Sequence, residues 1–254
     1  MATNIISIVN QKGGVGKTTT VINIASYLAL KGRSVLIVDL DPQANATSGL
    51  GISKENIIFS SYDIFNKDQP SFTAFTTRIK NLDIIPSDTN LSGVELEIMN
   101  LAGREYILKT LIENLGYNYI FIDCPPSLGL LTINALTAST AIIVPVQTEY
   151  YALEGLGQLL ATFQAIKAST NPNLEILGVL LTMYDKRTTL SNQVREEIFK
   201  YFNELVFETN IPRNIRLAEA PSFGQTIFEH DKWSKGSKAY KNLAKEILDR
   251  TKPN

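Results

Sequence analysis

Short apolar runs alternate along the chain with stretches whose apolar residues repeat at helical spacing. Ile5, Ile6, Ile8 and Val9 predict a buried strand over residues 5–9, and a helix follows over 18–31, stopped at Gly32. Further buried strands are predicted over 34–38, 82–86, 119–122, 141–146 and 176–182, the second of these closed by Pro86. Helical spacing marks 91–115, weakened at Gly103, a short segment before 141, and then 153–167 and 190–202. Val206 and Phe207 predict a last short strand, and apolar residues at 239, 240, 243, 244, 247 and 248 a docked terminal helix. Residues 43–80 resist this reading, apart from a short helix over 60–66. Continuous apolar strands separated by helices predict an α/β fold, a doubly wound, mostly parallel sheet with helices on both faces. No repeat or long linker divides the chain, so a single domain over residues 1–254 is expected.

Composition narrows the class. With 44% hydrophobic and 19% charged residues, the chain has the balance of a soluble globular protein. A net charge of −1 supplies no bulk basic field, so any contact with nucleic acid must come from a local patch. One cysteine, Cys124, excludes a disulfide framework or a multi-cysteine metal site within the chain. Neither a charged leader before an apolar core nor a long apolar run is evident, and a cytoplasmic protein is expected.

The segment from Gln11 to Thr19 carries the clearest chemistry. Gly13, Gly14 and Gly16 follow a strand and precede a helix, the setting of a phosphate-binding loop. Glycines let successive N–H groups face one anion, and the helix adds its positive end. Lys17 would reach the outer phosphates and Thr18 would hold magnesium. A glycine is expected five residues before Gly16, yet Gln11 stands there with a second lysine, Lys12, beside it. An ordinary loop has no use for Lys12.

In a parallel sheet, ligands gather at the carboxyl ends of the strands. Asp39 and Asp41 fall at one such end and Asp123 at another. Asp41 and Asp123 are the candidate magnesium-binding carboxylates, and either Asp39 or Asp41 supports the other.

These motifs resemble a known family. Lys12-Gly13-Gly14-Val15-Gly16-Lys17-Thr18-Thr19 is similar to the deviant Walker A motif of the ParA/MinD ATPases. The stretch from Asp39 to Thr47 resembles their switch I, and Ile120 to Pro126 their Walker B with switch II. Thr182 to Thr188 and Ile211 to Pro221 resemble segments of the chromosomal ParA (Soj) branch, so the likeness runs over roughly residues 4–250. It implies a P-loop ATPase using ATP and Mg²⁺, in which Lys12 crosses to the nucleotide of a partner subunit in a homodimer. A cation supplied from outside in this way can accelerate phosphoryl transfer roughly 10³–10⁵-fold. The resemblance further implies that Asp41 positions the attacking water and that Pro212, Arg213 and Asn214 line the adenine pocket. Arg187 and Arg216 match positions linked to non-specific DNA binding, and a ParB-like partner would stimulate hydrolysis at the nucleoid. Between Asp185 and Arg216 stand six basic and five acidic residues, so that stretch shows no net patch.

Four alternatives weigh less. A MinD-like membrane ATPase needs a basic helix with large apolar residues, whereas 243–254 mixes acid with base and lacks Phe or Trp, so no membrane partner is expected. A nitrogenase-type reductase needs two cysteines per subunit. A metabolic kinase needs an acceptor pocket that nothing in the chain marks. A non-hydrolysing ATP-binding module would not need Asp41 and Asp123. His230 reads as a surface residue, Cys124 as core, and Tyr150, Tyr151 and Trp233 as packing or interface.

Overall fold

In the computed structural model, which describes residues 3–66, 72–149 and 154–252, the apolar runs become strands of one sheet. The strands are β1 (Asn4–Ile8), β2 (Val35–Asp39), β3 (Phe75–Thr76), β4 (Leu82–Ile85), β5 (Tyr119–Asp123), β6 (Ala141–Gln147) and β7 (Glu175–Thr182). Their spatial order is β3-β4-β2-β5-β1-β6-β7, parallel throughout except for the antiparallel edge pair β3/β4. Tyr150, Tyr151 and Leu153 lie outside the described residues.

Alternation along each strand explains the two-faced burial, since successive side chains point to opposite sides. Ile5, Leu36, Val38, Ile120, Ile122 and Val144 enter one apolar core, whereas Ile6, Ile8, Ile37, Phe121, Ile143 and Leu180 enter the other. Helices cover both. The first core takes α3 (Ser61–Phe65), α4 (Val94–Ile98), α5 (Ile107–Ile112), α6 (Leu130–Ala138), α7 (Glu154–Ala168) and α8 (Thr189–Phe202). The second takes α1 (Lys17–Leu30), α2 (Asn45–Gly49), α9 (Ile215–Glu219), α10 (Ile227–His230) and α11 (Lys235–Arg250).

The structure departs from the sequence reading in three places. The helix expected over 91–115 is broken: a 3-10 turn (Thr89–Gly93) leads into α4, and a second one (Arg104–Tyr106) leads into α5. Gly103 between them has φ 72°, which no right-handed helix accommodates. Val206 and Phe207 form no strand; Val206 makes an isolated parallel bridge to Val179 and the Phe207 N–H donates to the Val179 carbonyl at 2.9 Å. The unread stretch 43–80 contains α2, α3 and the edge strand β3.

The chain runs from β1 outward to β2, then returns through β5 and crosses β1 to reach β6. The order therefore reverses beside β1, and loops after β1, β2 and β5 meet at one crevice. Register brings Ile8, Asp123 and Asp39 into a single row there.

Candidate nucleotide site

The loop between β1 and α1 turns through Gly14 and Gly16, at φ 74° and 89°. These left-handed values suit glycine, and a Cβ at Gly13 or Gly14 would meet nothing within 4 Å, so no neighbouring atom crowds the loop there. Two side chains hold the loop. Asn10 Oδ1 accepts from the Lys12 N–H at 2.9 Å while its Nδ2 donates to the Pro145 carbonyl at 2.7 Å. The Thr182 hydroxyl donates to the Val15 carbonyl at 2.9 Å, fastening the end of β7 to the loop.

The two lysines point to different destinations. Lys17 is 6% exposed, and its Nζ donates to the Lys12 carbonyl at 3.1 Å. Burial lowers its pKa, opposed by the neighbouring carboxyls, Asp123 before Asp41. Lys12 turns outward: its Nζ pairs with Glu149 at 3.0 Å, and its side chain is 39% exposed.

The three aspartates also separate. Asp39 is fully buried and saturated, accepting from the Asp41 N–H at 3.2 Å, the Thr47 N–H at 2.9 Å and the Thr47 hydroxyl at 2.8 Å. Burial still raises its carboxyl to about 6, against the hydrogen bonds from Thr47 and Asp41 and with the Asp41 charge. Its work is to hold residues 41–47 in place, and Asp41 is the carboxylate that it positions. Asp41 accepts from the Gln43 N–H at 3.0 Å.

Asp123 is different again. It is 0% exposed, and neither carboxylate oxygen has a hydrogen-bond partner in acceptable geometry. Burial first, and then the Asp39 charge, push its pKa well up, while the nearby Thr18 hydroxyl and the Lys17 charge pull the other way. An unpartnered, buried oxygen pair beside a hydroxyl and a second carboxylate is a hard-oxygen donor set, which suits Mg²⁺. Thr18, Asp41 and Asp123 are the residues that could hold it.

Beside Gly16 and Thr19 opens a cavity of about 250 Å³, walled by Met183, Ile211, Leu217 and Tyr240 and edged by Pro212, Arg213 and Asn214. Asn214 also caps α9, accepting from the Leu217 N–H at 3.3 Å. Met183 adopts a left-handed backbone at φ 51°, strained by about 1–2 kcal/mol for a non-glycine residue. Its neighbour Tyr184 donates its N–H to the Ile211 carbonyl at 3.0 Å, closing the cavity wall.

Arg187 and Arg216 are not among the residues lining this cavity, and both are paired. Arg187 binds Asp185 at 2.7 Å, and its hydrogen bonds hold that carboxyl down to about 2. Arg216 binds Glu219 at 2.9 Å and lies 3.7 Å from Asp231.

A family model described as an AAA domain matches residues 3–176. The sporulation initiation inhibitor protein Soj of Bacillus subtilis is 53% identical over 246 residues, 96% of this chain and 97% of that protein. The chromosome partitioning protein ParA of Caulobacter vibrioides is 47% identical over 251 residues, covering 97% and 94%. Among solved structures, cobyrinic acid a,c-diamide synthase from Mycobacterium smegmatis with bound ADP and magnesium is 38% identical, with TM-score 0.83 over 97% of this chain and 94% of that one. The chain belongs to the Soj/ParA family of partitioning ATPases.

The crevice collects the loop, Asp41, Asp123 and the segment 212–214, and neither arginine lines its cavity. Cys124 is core: it is 0% exposed, and burial pushes its thiol up to about 12. His230 corrects the sequence reading. Its side chain is only 14% exposed, stacked on Phe223 at 5.1 Å and 3.6 Å from Glu219. Asn10 and Glu149 bear on the loop without any sequence signal, and Thr182 opens a segment singled out by resemblance but not for this contact, since the three pairings span 135, 137 and 167 residues.

Proposed function

We propose that the whole chain acts as one ATPase domain, binding Mg-ATP in the crevice and hydrolysing it to ADP and phosphate. In the ATP state it forms a homodimer that binds DNA without sequence preference at the nucleoid. A ParB-like partner stimulates hydrolysis and release, and the cycle partitions a chromosome or plasmid. The observation that supports this reading is the divergence of the two lysines. Lys17 is buried toward its own loop, while Lys12 leaves its carbonyl on Lys17 and carries its ammonium outward.

On this reading, loop N–H groups from Gly13 to Thr19 and the α1 terminus hold the phosphates, and the Lys17 ammonium neutralises their charge. Magnesium, bound by Thr18, Asp41 and Asp123, would offset charge on the phosphate oxygens. Asp41, kept in place by Asp39, orients the attacking water. The base enters the cavity edged by Pro212, Arg213 and Asn214. Lys12 reaches the phosphates of the partner subunit, where two facing triphosphates would otherwise repel.

The test is a DNA titration with ATP, ADP and no nucleotide at two salt concentrations. Binding that is confined to ATP and falls steeply with salt is expected. Equal binding in all three states would overturn the proposal.

A further inference from the structure

The N-terminal half of α11 carries a charge pattern that the nucleotide site does not use. From residue 232 to residue 245 the chain holds Lys232, Lys235, Lys238, Lys241 and Lys245 and no aspartate or glutamate. At about 100° per residue, positions 235, 238, 241 and 245 fall within an arc of roughly 120°, and they span about 15 Å along the axis. The opposite face, with Ala239, Tyr240, Leu243, Ala244 and Ile247, is buried in the second core. All five lysines are exposed. Among the described residues none of them forms an ion pair. Arg187 and Arg216, by contrast, each stand within ion-pair distance of a carboxylate, at 2.7 and 2.9 Å. Trp233, 87% exposed, stands at the head of the lysine face with the Lys232 ammonium 5.3 Å from its ring centroid.

We infer that this lysine face is a DNA-binding surface of the ATP-state protein, its ammonium groups pairing with phosphates of a duplex backbone beside Trp233. The inference rests on the DNA-binding reading above. Its chemistry favours duplex DNA over an anionic membrane. A membrane-surface helix inserts apolar side chains, and the apolar residues of α11 named above are spent on the core. Free, unpaired ammonium groups in a row match a backbone of regularly repeated phosphates and release its counterions. The face also shares a helix with the nucleotide side: Tyr240 borders the cavity, and its hydroxyl lies 3.1 Å from the Thr20 hydroxyl.

The test compares two triple variants of the full chain, with a labelled random-sequence duplex and a non-hydrolysable ATP analogue. Lys235→Gln with Lys238→Gln and Lys241→Gln removes three charges from the face. Lys54→Gln with Lys80→Gln and Lys167→Gln removes three exposed charges elsewhere. The first variant should flatten the slope of log affinity against log salt by about 2.7, at roughly 0.9 per phosphate contact, and bind at least about tenfold more weakly. The control should stay within about twofold of wild type. Fluorescence of Trp233, the single tryptophan, should change on DNA addition in the wild type. Unchanged melting and nucleotide-dependent mass exclude misfolding, and single Lys→Gln variants should each lower the slope by about 0.9. If the first variant keeps wild-type slope and affinity while Arg187→Glu with Arg216→Glu loses both, the inference falls and the DNA-binding reading stands. Absence of DNA binding by the wild type overturns that reading itself. Lysine-dependent binding to phosphatidylglycerol vesicles without DNA binding overturns the inference in favour of a lipid surface.

Discussion

Replacing Asp123 with asparagine should make the nucleotide-free protein more stable and less responsive to its ligand. Both Asp123 oxygens are buried without a hydrogen-bond partner, beside a second buried carboxyl, Asp39, at the same register on β2. Leaving a buried acceptor unsatisfied costs about 1–3 kcal/mol, and more when it is charged. The asparagine side chain would carry no charge and would offer an amide donor beside Asp39. A gain of about 1–3 kcal/mol at neutral pH is expected, at roughly 2–4 °C per kcal/mol for a chain of this size. The pH dependence has a definite sign. The folded protein raises the Asp123 pKa, so the cost of this one group is absent below the ordinary carboxyl range near 4 and builds as pH rises toward the folded value. Wild type and variant should therefore converge near pH 4.5 and separate toward pH 7.5. Mg-ATP at about 100-fold excess over its dissociation constant should stabilise the wild type by roughly 2.7 kcal/mol and the variant by less. Thermal melts across this pH range, with and without Mg-ATP, read all three effects. A variant that melts no higher than wild type at pH 7.5, or gains as much from Mg-ATP, refutes the reasoning.

Lys17→Ala should weaken ATP binding by about 10²-fold, the equivalent of about 3 kcal/mol for a lost charge-assisted contact; a fluorescent nucleotide titration reads it. Asp41→Ala should lower turnover by about 10²–10⁴-fold while the ATP-bound protein accumulates, so undiminished phosphate release would reject its role. Arg250→Met should lower stability by about 2–4 kcal/mol in urea unfolding. Its guanidinium donates to the Leu177 and Val206 carbonyls at 2.8 and 3.1 Å, pairs with Glu246 at 3.0 Å and covers the Phe207 ring at 4.3 Å.

What could be read from the chain alone was whatever is local. The loop over 12–19 announces itself because strand, glycines, lysine and helix are contiguous, and the structure places them between β1 and α1. Asp39 and Asp123 were legible as strand ends, yet their different states were not. Asp39 is saturated by Thr47, eight residues away, whereas Asp123 is unpartnered, and only the packed structure distinguishes them. The span 91–115 misled because helical spacing continues across Gly103, whose left-handed backbone breaks the helix. The loop's outer supports, Asn10, Thr182 and Glu149, depend on contacts made across the sheet. The lysine face lies beyond the stretch 185–216, beginning at Lys232, and its charges emerge only once α11 turns its apolar side inward.

The central claim is that nucleotide is shared between two subunits through Lys12. Light scattering of Asp41→Ala, alone and combined with Lys12→Ala, tests it most directly. With ATP the single variant should double from the 28.1 kDa of the chain, and with ADP it should not. The double variant should stay at the single-chain mass with ATP while still binding that nucleotide. A double variant that doubles its mass as readily would contradict the account.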